Sequence, residues 1–327
     1  MTNPVIAEVT RGTVVESQHR GAFAVSDSAG KIMAGAGEFG AAFFPRSAIK
    51  AFQCLPLIES GGAAHFGLNE EEIALCCSSH SGQPEHLRVA RSILAKAGVS
   101  EACYECGAHM PSAREASYEL IRHDEKPLPI HNNCSGKHAG MLALAKHLGE
   151  PLEGYIAIDH PVQKAVAATL SRYCGVDVAA APHGIDGCSV PTWALPIDRI
   201  AQAFARLTEP EDKGGQWIMR AARNHPFLIS GTGRFDTRLM EAVPRLFIKG
   251  GAEGVSCGAI PHAGLGFALK CDDGTSRGAE VAVAKMLAGL EVWTAAERNV
   301  LQTFTNEHLR NWRKFHVGDV LAASVAQ

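Results

Sequence analysis

The 327-residue chain contains no apolar run approaching the roughly 20 residues of a membrane-spanning helix. Its longer runs, such as Gly140 to Ala145, are cut short by Lys or His, so a bilayer-crossing protein is not expected. It also lacks an excess of basic charge. With 31 Lys and Arg against 34 Asp and Glu, the formal net charge is -3, and the phosphates of a nucleic acid would go unneutralised. The first residues show neither the basic and apolar regions of a secretory signal nor the acid-poor bias of a transit peptide, so a cytoplasmic location is expected. Ten cysteines are too dilute for a disulfide scaffold, and in a reducing compartment such thiols are buried, metal-bound or catalytic. Internal repeats, low-complexity tracts and separating linkers are absent as well.

Hydrophobic residues make up 46% and charged residues 20%, enough apolar surface to offset the entropy of ordering a globular fold. Val5 to Val15 and Gly21 to Val25 have strand composition, and Asp27 to Lys31 has that of a tight turn, so a β-hairpin opens the chain. Ile49, Phe52 and Leu55 recur at threefold spacing behind Pro45, which predicts a helix starting at or beside Ser47. Ile73 to Cys77 reads as a strand or buried segment. The polar loop Ser78 to Gly82 follows it, then a helix from Pro84 to Lys96 stopped by Gly98. Gly136 to His147, Pro161 to Tyr173 and Ile197 to Leu207 carry helical periodicity. Arg245 to Ile248, Gly254 to Cys257 and Leu265 to Cys271 are β-type runs, with Asp272-Asp273-Gly274 as a hairpin turn and a helix from about Arg277 to Leu290. The expected class is α/β (α+β). It is a single domain over 1–327, with an antiparallel sheet built from both termini and a helical lobe, roughly 84–225, inserted between them.

Ser47-Ala48-Ile49-Lys50 puts a hydroxyl and an amine three residues apart at a helix start, so both lie on one face about one turn apart. A desolvated lysine there can take the serine's proton as the serine attacks a carbonyl. Alone, the pair also has the look of a helix cap beside a solvated lysine. The loop Ser78-Ser79-His80-Ser81-Gly82 leaves an apolar run, where functional side chains sit on rigid scaffolds, although a capping turn before Pro84 has the same composition. Asn132-Asn133-Cys134-Ser135-Gly136-Lys137-His138 opens a helix with a thiol, an amine and an imidazole near an N-terminus that favours thiolate. Gly184-Ile185-Asp186-Gly187-Cys188 is a second cysteine-bearing turn. Cys134 and Cys188 could share one zinc ion or be two unrelated buried thiols. Cys103-Tyr104-Glu105-Cys106 has no second Cys-x-x-Cys partner and reads as structural. Lys249 ends a β-type run before two glycines, and Lys270 is a similar candidate. Gly231-Thr232-Gly233-Arg234-Phe235-Asp236 lacks the spacing of a phosphate loop.

Taken together and in order, Arg11-Gly12-x-x-Val15-Glu16-x-x-His19, Arg46-Ser47-Ala48-Ile49-Lys50, Ser79-His80-Ser81-Gly82, Cys134-Ser135-Gly136-Lys137-His138, Asp186-Gly187-Cys188 and Gly231-Thr232-Gly233-Arg234-Phe235-Asp236 resemble the rhizobial-type (class 3) L-asparaginase II family over nearly the whole chain. The resemblance implies a serine β-lactamase-like fold, shared with penicillin-binding proteins and serine glutaminases. The implied reaction is hydrolysis of L-asparagine to L-aspartate and ammonia. It further implies Ser47 as nucleophile, Lys50 as its base, Ser79 as a second active-site hydroxyl that relays a proton or itself attacks, and Lys249 as the lysine on that side of the relay. Arg46, His80 and Asp186 would bind substrate. Zinc (Zn2+) held by Cys134, Lys137 and Cys188 would position the α-amino and carboxylate end, in a homodimer. One departure is visible: the family has Glu where this chain has Gln83.

Two other readings stay open on sequence grounds. Ser-x-x-Lys on this fold serves other amides, as in a glutaminase or a β-lactam-recognising enzyme. A zinc-stabilised binding protein without catalysis would use the cysteines and leave Ser47 as a cap.

Overall fold

The computed structural model describes residues 3–324, and the chain folds as two compact units. The first takes the chain up to Ala48, Leu195–Thr208, and everything from Leu239 onward, while the second takes Ile49–Ala194 and Glu209–Arg238. The expected 84–225 lobe thus falls in the second unit, apart from Leu195–Thr208.

The first unit is built on a sheet that is eight-stranded among the described residues. Its strands are β1 (Val5–Arg11), β2 (Val14–Asp27), β3 (Ile32–Ala36), β4 (Phe247–Gly251), β5 (Val255–Ile260), β6 (Leu265–Cys271), β7 (Asn306–Arg310) and β8 (His316–Ala322). They run in the order β7-β8-β1-β2-β6-β5-β4, with β3 also on β2, and every pairing is antiparallel. Both termini therefore feed one sheet, as the sequence pattern implies. The long β2 serves twice. Its polar first half pairs with β1, Val9 opposite Ser17. Its buried second half, Ala22 to Val25, pairs with β6 on one side and β3 on the other.

The helix Ile197–Arg206 covers β2 and β6 with Ile200, Ala201 and Phe204, all buried. It can approach because β6 carries Gly266 there, where a Cβ would lie 2.1 Å from the Ala201 carbonyl oxygen and 2.3 Å from the Ala205 nitrogen. At the other end of the sheet Val281, on the helix Ser276–Ala288, packs with Ala7, Val9 and Val320.

The second unit is helical: Lys50–Glu59, Glu70–Cys76, Pro84–Ala97, Ser135–Leu148, Pro161–Cys174 and Lys213–Asn224 are its main helices. The Pro84 and Pro161 starts and the left-handed glycines Gly98, Gly149 and Gly175 mark ends that were readable in the sequence. Ile73 to Cys77, expected as a strand or buried segment, is buried but largely helical. Asn69 and Glu72 cap each other's backbone N–H groups and start the turn, and a capped nucleus overrides a short apolar run. Asp272 to Gly274 also differs from expectation. It leads β6 into the helix at Ser276 and closes no hairpin.

Gly266→Ala should force the Ile197–Arg206 helix off the sheet, lowering unfolding free energy by about 3 kcal/mol, the upper range of overpacking costs. Urea denaturation reads this directly, and an unchanged midpoint would contradict the close approach.

Candidate active site

The second unit gathers most of the chemistry-bearing residues around one nitrogen. Lys50 opens the helix Lys50–Glu59 and has no exposed surface. Its Nζ lies 2.5 Å from the Ser78 carbonyl oxygen, 2.9 Å from Ser79 Oγ and 3.0 Å from Cys134 Sγ. Ser79 itself is partly exposed. The base and the second hydroxyl expected from the sequence are thus in direct contact.

The Ser79 loop is held open-faced by a latch to the segment 229–232. Ser79 N donates to the Ile229 carbonyl at 2.9 Å, and Ser81 Oγ to that of Ser230 at 2.6 Å. The Gln83 amide both donates to Thr232 Oγ1 at 3.0 Å and accepts from Thr232 N at 2.9 Å. Gly231 sits at φ +114°, and a Cβ there would lie 2.5 Å from Ser81 Oγ, so only glycine lets the two segments close. The Gly-Thr-Gly stretch that failed as a phosphate loop is this latch.

His80 is buried beneath the loop. Its Nδ1 accepts from Gly82 N at 3.1 Å, which leaves the proton on Nε2 to be donated to Ser135 Oγ at 2.9 Å. The ring stacks on His86 at 5.0 Å, and His86 stacks on Phe227 at 4.6 Å. Burial, with His86 and Lys50 close by to disfavour a further positive charge, holds His80 well below its ordinary pKa, and burial also lowers His86. These packed neutral imidazoles brace the loop, which gives His80 a supporting place against Ser135.

The sulfur cluster lies on the far side of Lys50. Cys134 caps the helix Ser135–Leu148, Lys137 is in its first turn, and Cys188 sits in the turn after the strand His183–Ile185. Lys137 Nζ donates to Cys188 Sγ at 2.9 Å. Cys134 is held well below the usual thiol range by the hydrogen bond from Cys188, against burial, with help from the charges of Lys50 and Lys137. Cys188 is pushed up by the same bond and by burial. Burial works to strip Lys137 of its proton, but the charges of Cys134 and Cys188 outweigh it and raise its pKa. Asp186 lies two residues before Cys188 and its charge adds a smaller share to the field that raises Lys137. Its backbone closes the turn with Val190, with N to O at 2.8 Å, and Ser189 takes φ +76°.

Asn132 is a residue the sequence reading missed. Its Oδ1 accepts from Cys134 N at 2.8 Å, and its Nδ2 donates to the Cys106 carbonyl at 2.8 Å. An Asn two residues before a helix-capping Cys is an Asx-turn signal. It fixes the Cys134 loop to the Cys-x-x-Cys segment, whose Cys106 thiol burial pushes up to about 12.

The first unit holds Arg46, Ser47 and Lys249. Ser47 is partly exposed on the 3-10 turn Arg46–Ile49, which Arg46 enters at φ +52°. β4 carries the buried Lys249, whose Nζ lies 2.6 Å from the Gly250 carbonyl oxygen. β4 ends at Gly251, where a Cβ would lie 2.6 Å from the Pro45 carbonyl oxygen and 3.2 Å from the Ala48 nitrogen. The Lys249 strand thus runs out against the turn bearing Ser47. Lys270 turns elsewhere, to the Glu253 carbonyl at 2.8 Å and that of Cys271.

A buried lysine against an accessible serine hydroxyl is the equipment of a hydrolase that attacks carbonyl carbon through an activated oxygen. Residues 7–322 match the family described as L-asparaginase II, and the chain belongs to that family. It is an L-asparaginase, a hydrolase whose substrate is the small molecule L-asparagine. No curated sequence matches it. Among solved structures it is similar to a β-lactamase from Mycobacterium bovis, at 15% identity over 87% of this chain and 95% of that one, with a TM-score of 0.40. Two structures of a protein called Mglu are similar at 17% identity. One spans 85% of this chain and 69% of that one with a TM-score of 0.33. The other, in a tris and glutamate form, spans 92% and 63% with a TM-score of 0.34. Among the described residues no helix is long and apolar enough to cross a membrane.

The imidazole pair sets an acid limit. His80 and His86 are both held below the ordinary imidazole range in the fold, His80 most strongly, so unfolding favours their protonation. Their pKa values are depressed in the folded state, so the unfolded state binds more protons as pH falls through the unfolded value of about 6.5. Unfolding free energy should therefore fall between pH 7.5 and 5.5, before the carboxylates titrate, and His80→Asn should flatten that decline. A wild-type stability that stays level across this window would refute the neutral pair.

Proposed function

We propose that this L-asparaginase acts through Ser47 as nucleophile with Lys50 as its base. The observation that carries this reading is the position of Lys50 Nζ, wholly buried and 2.9 Å from Ser79 Oγ, on the helical run Arg46–Glu59 that also carries Ser47 three residues earlier. Residues three apart on a helical run share a face.

The amide carbon is a poor electrophile and ammonia a poor leaving group, so the nucleophile must be activated and the departing nitrogen protonated. Lys50, as the neutral amine that its burial favours, takes the Ser47 proton as Oγ bonds to the side-chain amide carbon. The tetrahedral oxyanion is stabilised by backbone N–H donors. The C–N bond then breaks with proton delivery to nitrogen, and Ser79, hydrogen-bonded to Lys50, carries protons between the lysine and the leaving group. A β-aspartyl ester on Ser47 remains. Water attacks it, the serine recovers its proton, and L-aspartate leaves. Lys249 is the second lysine of this scheme, because its strand ends against the Ser47 turn while Lys270 is engaged with the Glu253 and Cys271 carbonyls.

Cys134, Lys137 and Cys188 would hold zinc. The donor set fits a borderline ion: two sulfurs and a nitrogen, each at most 4% exposed, with Cys134 already favoured as thiolate. Lysine ligates only as the neutral amine, so binding must displace its proton. When bound, zinc would supply a fixed positive centre that orients the α-amino and carboxylate end of the substrate. Asp186, in the Cys188 turn, would take the α-ammonium and Arg46 would line the substrate's surroundings, while His80 would serve the substrate site from beneath by bracing the Ser79 loop. The reading includes a cytoplasmic homodimer, in keeping with the family resemblance and the prevalence of twofold assemblies.

Ammonia release from L-asparagine and L-glutamine, measured side by side with zinc content determined, tests the scheme. Ser47→Ala should lose roughly a thousandfold or more in kcat, as removal of a nucleophile from a coupled site does, with fold and zinc unchanged. Retained turnover would move the nucleophile to Ser79. Lys249→Ala should be far more damaging than Lys270→Ala, and the reverse order would reassign the second lysine. Release from glutamine at the asparagine rate would overturn selectivity, which rests on one methylene and roughly 1 to 3 kcal/mol.

A further inference from the structure

β7 and β8 form a hairpin at the outer edge of the first unit's sheet, in a register that places His308 opposite Asp319. His316 lies three residues before Asp319, and on a regular strand the two would face opposite sides. The ladder instead steps from Leu309 opposite Gly318 to Arg310 opposite His316, which leaves Val317 as a bulge. The extra residue turns His316 onto the face of the other two, as bulges re-aim side chains.

The three side chains converge there. Asp319 Oδ1 lies 2.5 Å from His308 Nδ1 and 3.0 Å from His316 Nε2. The two rings meet edge to face with centroids 5.0 Å apart. One nitrogen from each ring and one carboxylate oxygen all fall within 4.8 Å of one another. The carboxylate is the fixed member: Asp319 N donates to Thr10 Oγ1 at 3.0 Å, the next residue is the core Val320, and its side chain is 19% exposed against 60% and 50% for the imidazoles. The hairpin's two arginines are engaged elsewhere. Arg310 bonds the Lys314 carbonyl at 3.0 Å, and Arg313 stacks over Phe315 at 5.0 Å.

We propose that His308, His316 and Asp319 form a second metal site, for a divalent transition-metal ion, that staples the edge strand β7 to β8. Two imidazole nitrogens and a carboxylate oxygen from one side suit Zn2+, Ni2+, Co2+ or Cu2+, with water completing the sphere on the exposed side. None of these residues enters the hydrolytic scheme, and the site shares no donor with Cys134, Lys137 or Cys188.

The test titrates Ni2+ calorimetrically into the full untagged chain carrying whatever metal it retains on purification. Wild type should take up one more equivalent than the double variant His308→Ala/His316→Ala, and Asp319→Asn should weaken uptake at least roughly tenfold, in line with losses at metal-supporting residues. Both variants should hydrolyse L-asparagine as wild type does, which reports an intact fold. Should the double variant fail to fold, His308→Gln is the replacement, with the same tenfold loss expected. Equal stoichiometry and affinity in wild type and variants would overturn the site, as would no nickel uptake by wild type at millimolar concentration.

Discussion

A lysine with no exposed surface must receive from the protein every contact that water would have given it, because an unpaired buried polar group is costly. Lys50 is in this position, and its three partners lie on two segments far apart in sequence. Ser78 and Ser79 belong to the loop after the Glu70–Cys76 helix, and Cys134 caps the helix from Ser135. One nitrogen therefore fixes three element ends relative to one another. The Gly231 latch, the His80–His86–Phe227 stack and the Asn132 bridge each hold one of the acceptors in place. Such a polar centre is weak evidence for stability, since well-packed apolar groups would stabilise as much. Its value is preorganisation: the amine, the hydroxyl and the thiol are already held in contact.

The sulfur cluster extends this logic. Cys134 faces two lysines, one through a direct hydrogen bond to Lys50 and one through the Cys188 thiol that Lys137 contacts. Its position at the cap of a helix adds the field of the first-turn N–H groups, which favours a negative sulfur. Lys50 therefore joins two chemistries, with a hydroxyl on one side and a metal-competent thiolate on the other. A change at the sulfurs alters the field on Lys50, whose Nζ also contacts Ser79 Oγ.

Much of this was legible before any coordinates. Ser-x-x-Lys behind Pro45, the Cys134 and Cys188 turns and the Ser79 loop are local patterns whose chemistry depends on residue type, and six motifs in fixed order identified the family. The sheet from both termini followed from β-type runs at each end. What escaped depended on partners remote in sequence or on weak local signals. Ile73 to Cys77 is too short for its apolar run to separate helix from strand, and the deciding residues, Asn69 and Glu72, precede it. β7 is exposed except at the partly buried Leu309, so it lacks the alternation that marks a half-buried strand. The partnership of Gly231 with Ser81 spans 150 residues and has no periodic signature.

Gln83, the visible departure from the family pattern, is intelligible in these terms. Its side chain makes two bonds to Thr232, one as donor and one as acceptor. A carboxylate could also make two, accepting from the backbone N–H and from the hydroxyl, so the latch does not distinguish Gln from Glu by bond count. Charge does distinguish them. Gln83 N donates to His86 Nδ1 at 3.2 Å, and His86 stacks on the buried His80. A negative charge at position 83 would favour protonation of that imidazole pair, and a protonated Nδ1 on either ring could no longer accept the backbone N–H that holds it. The neutral amide keeps both rings as acceptors, and with them the floor of the Ser79 loop.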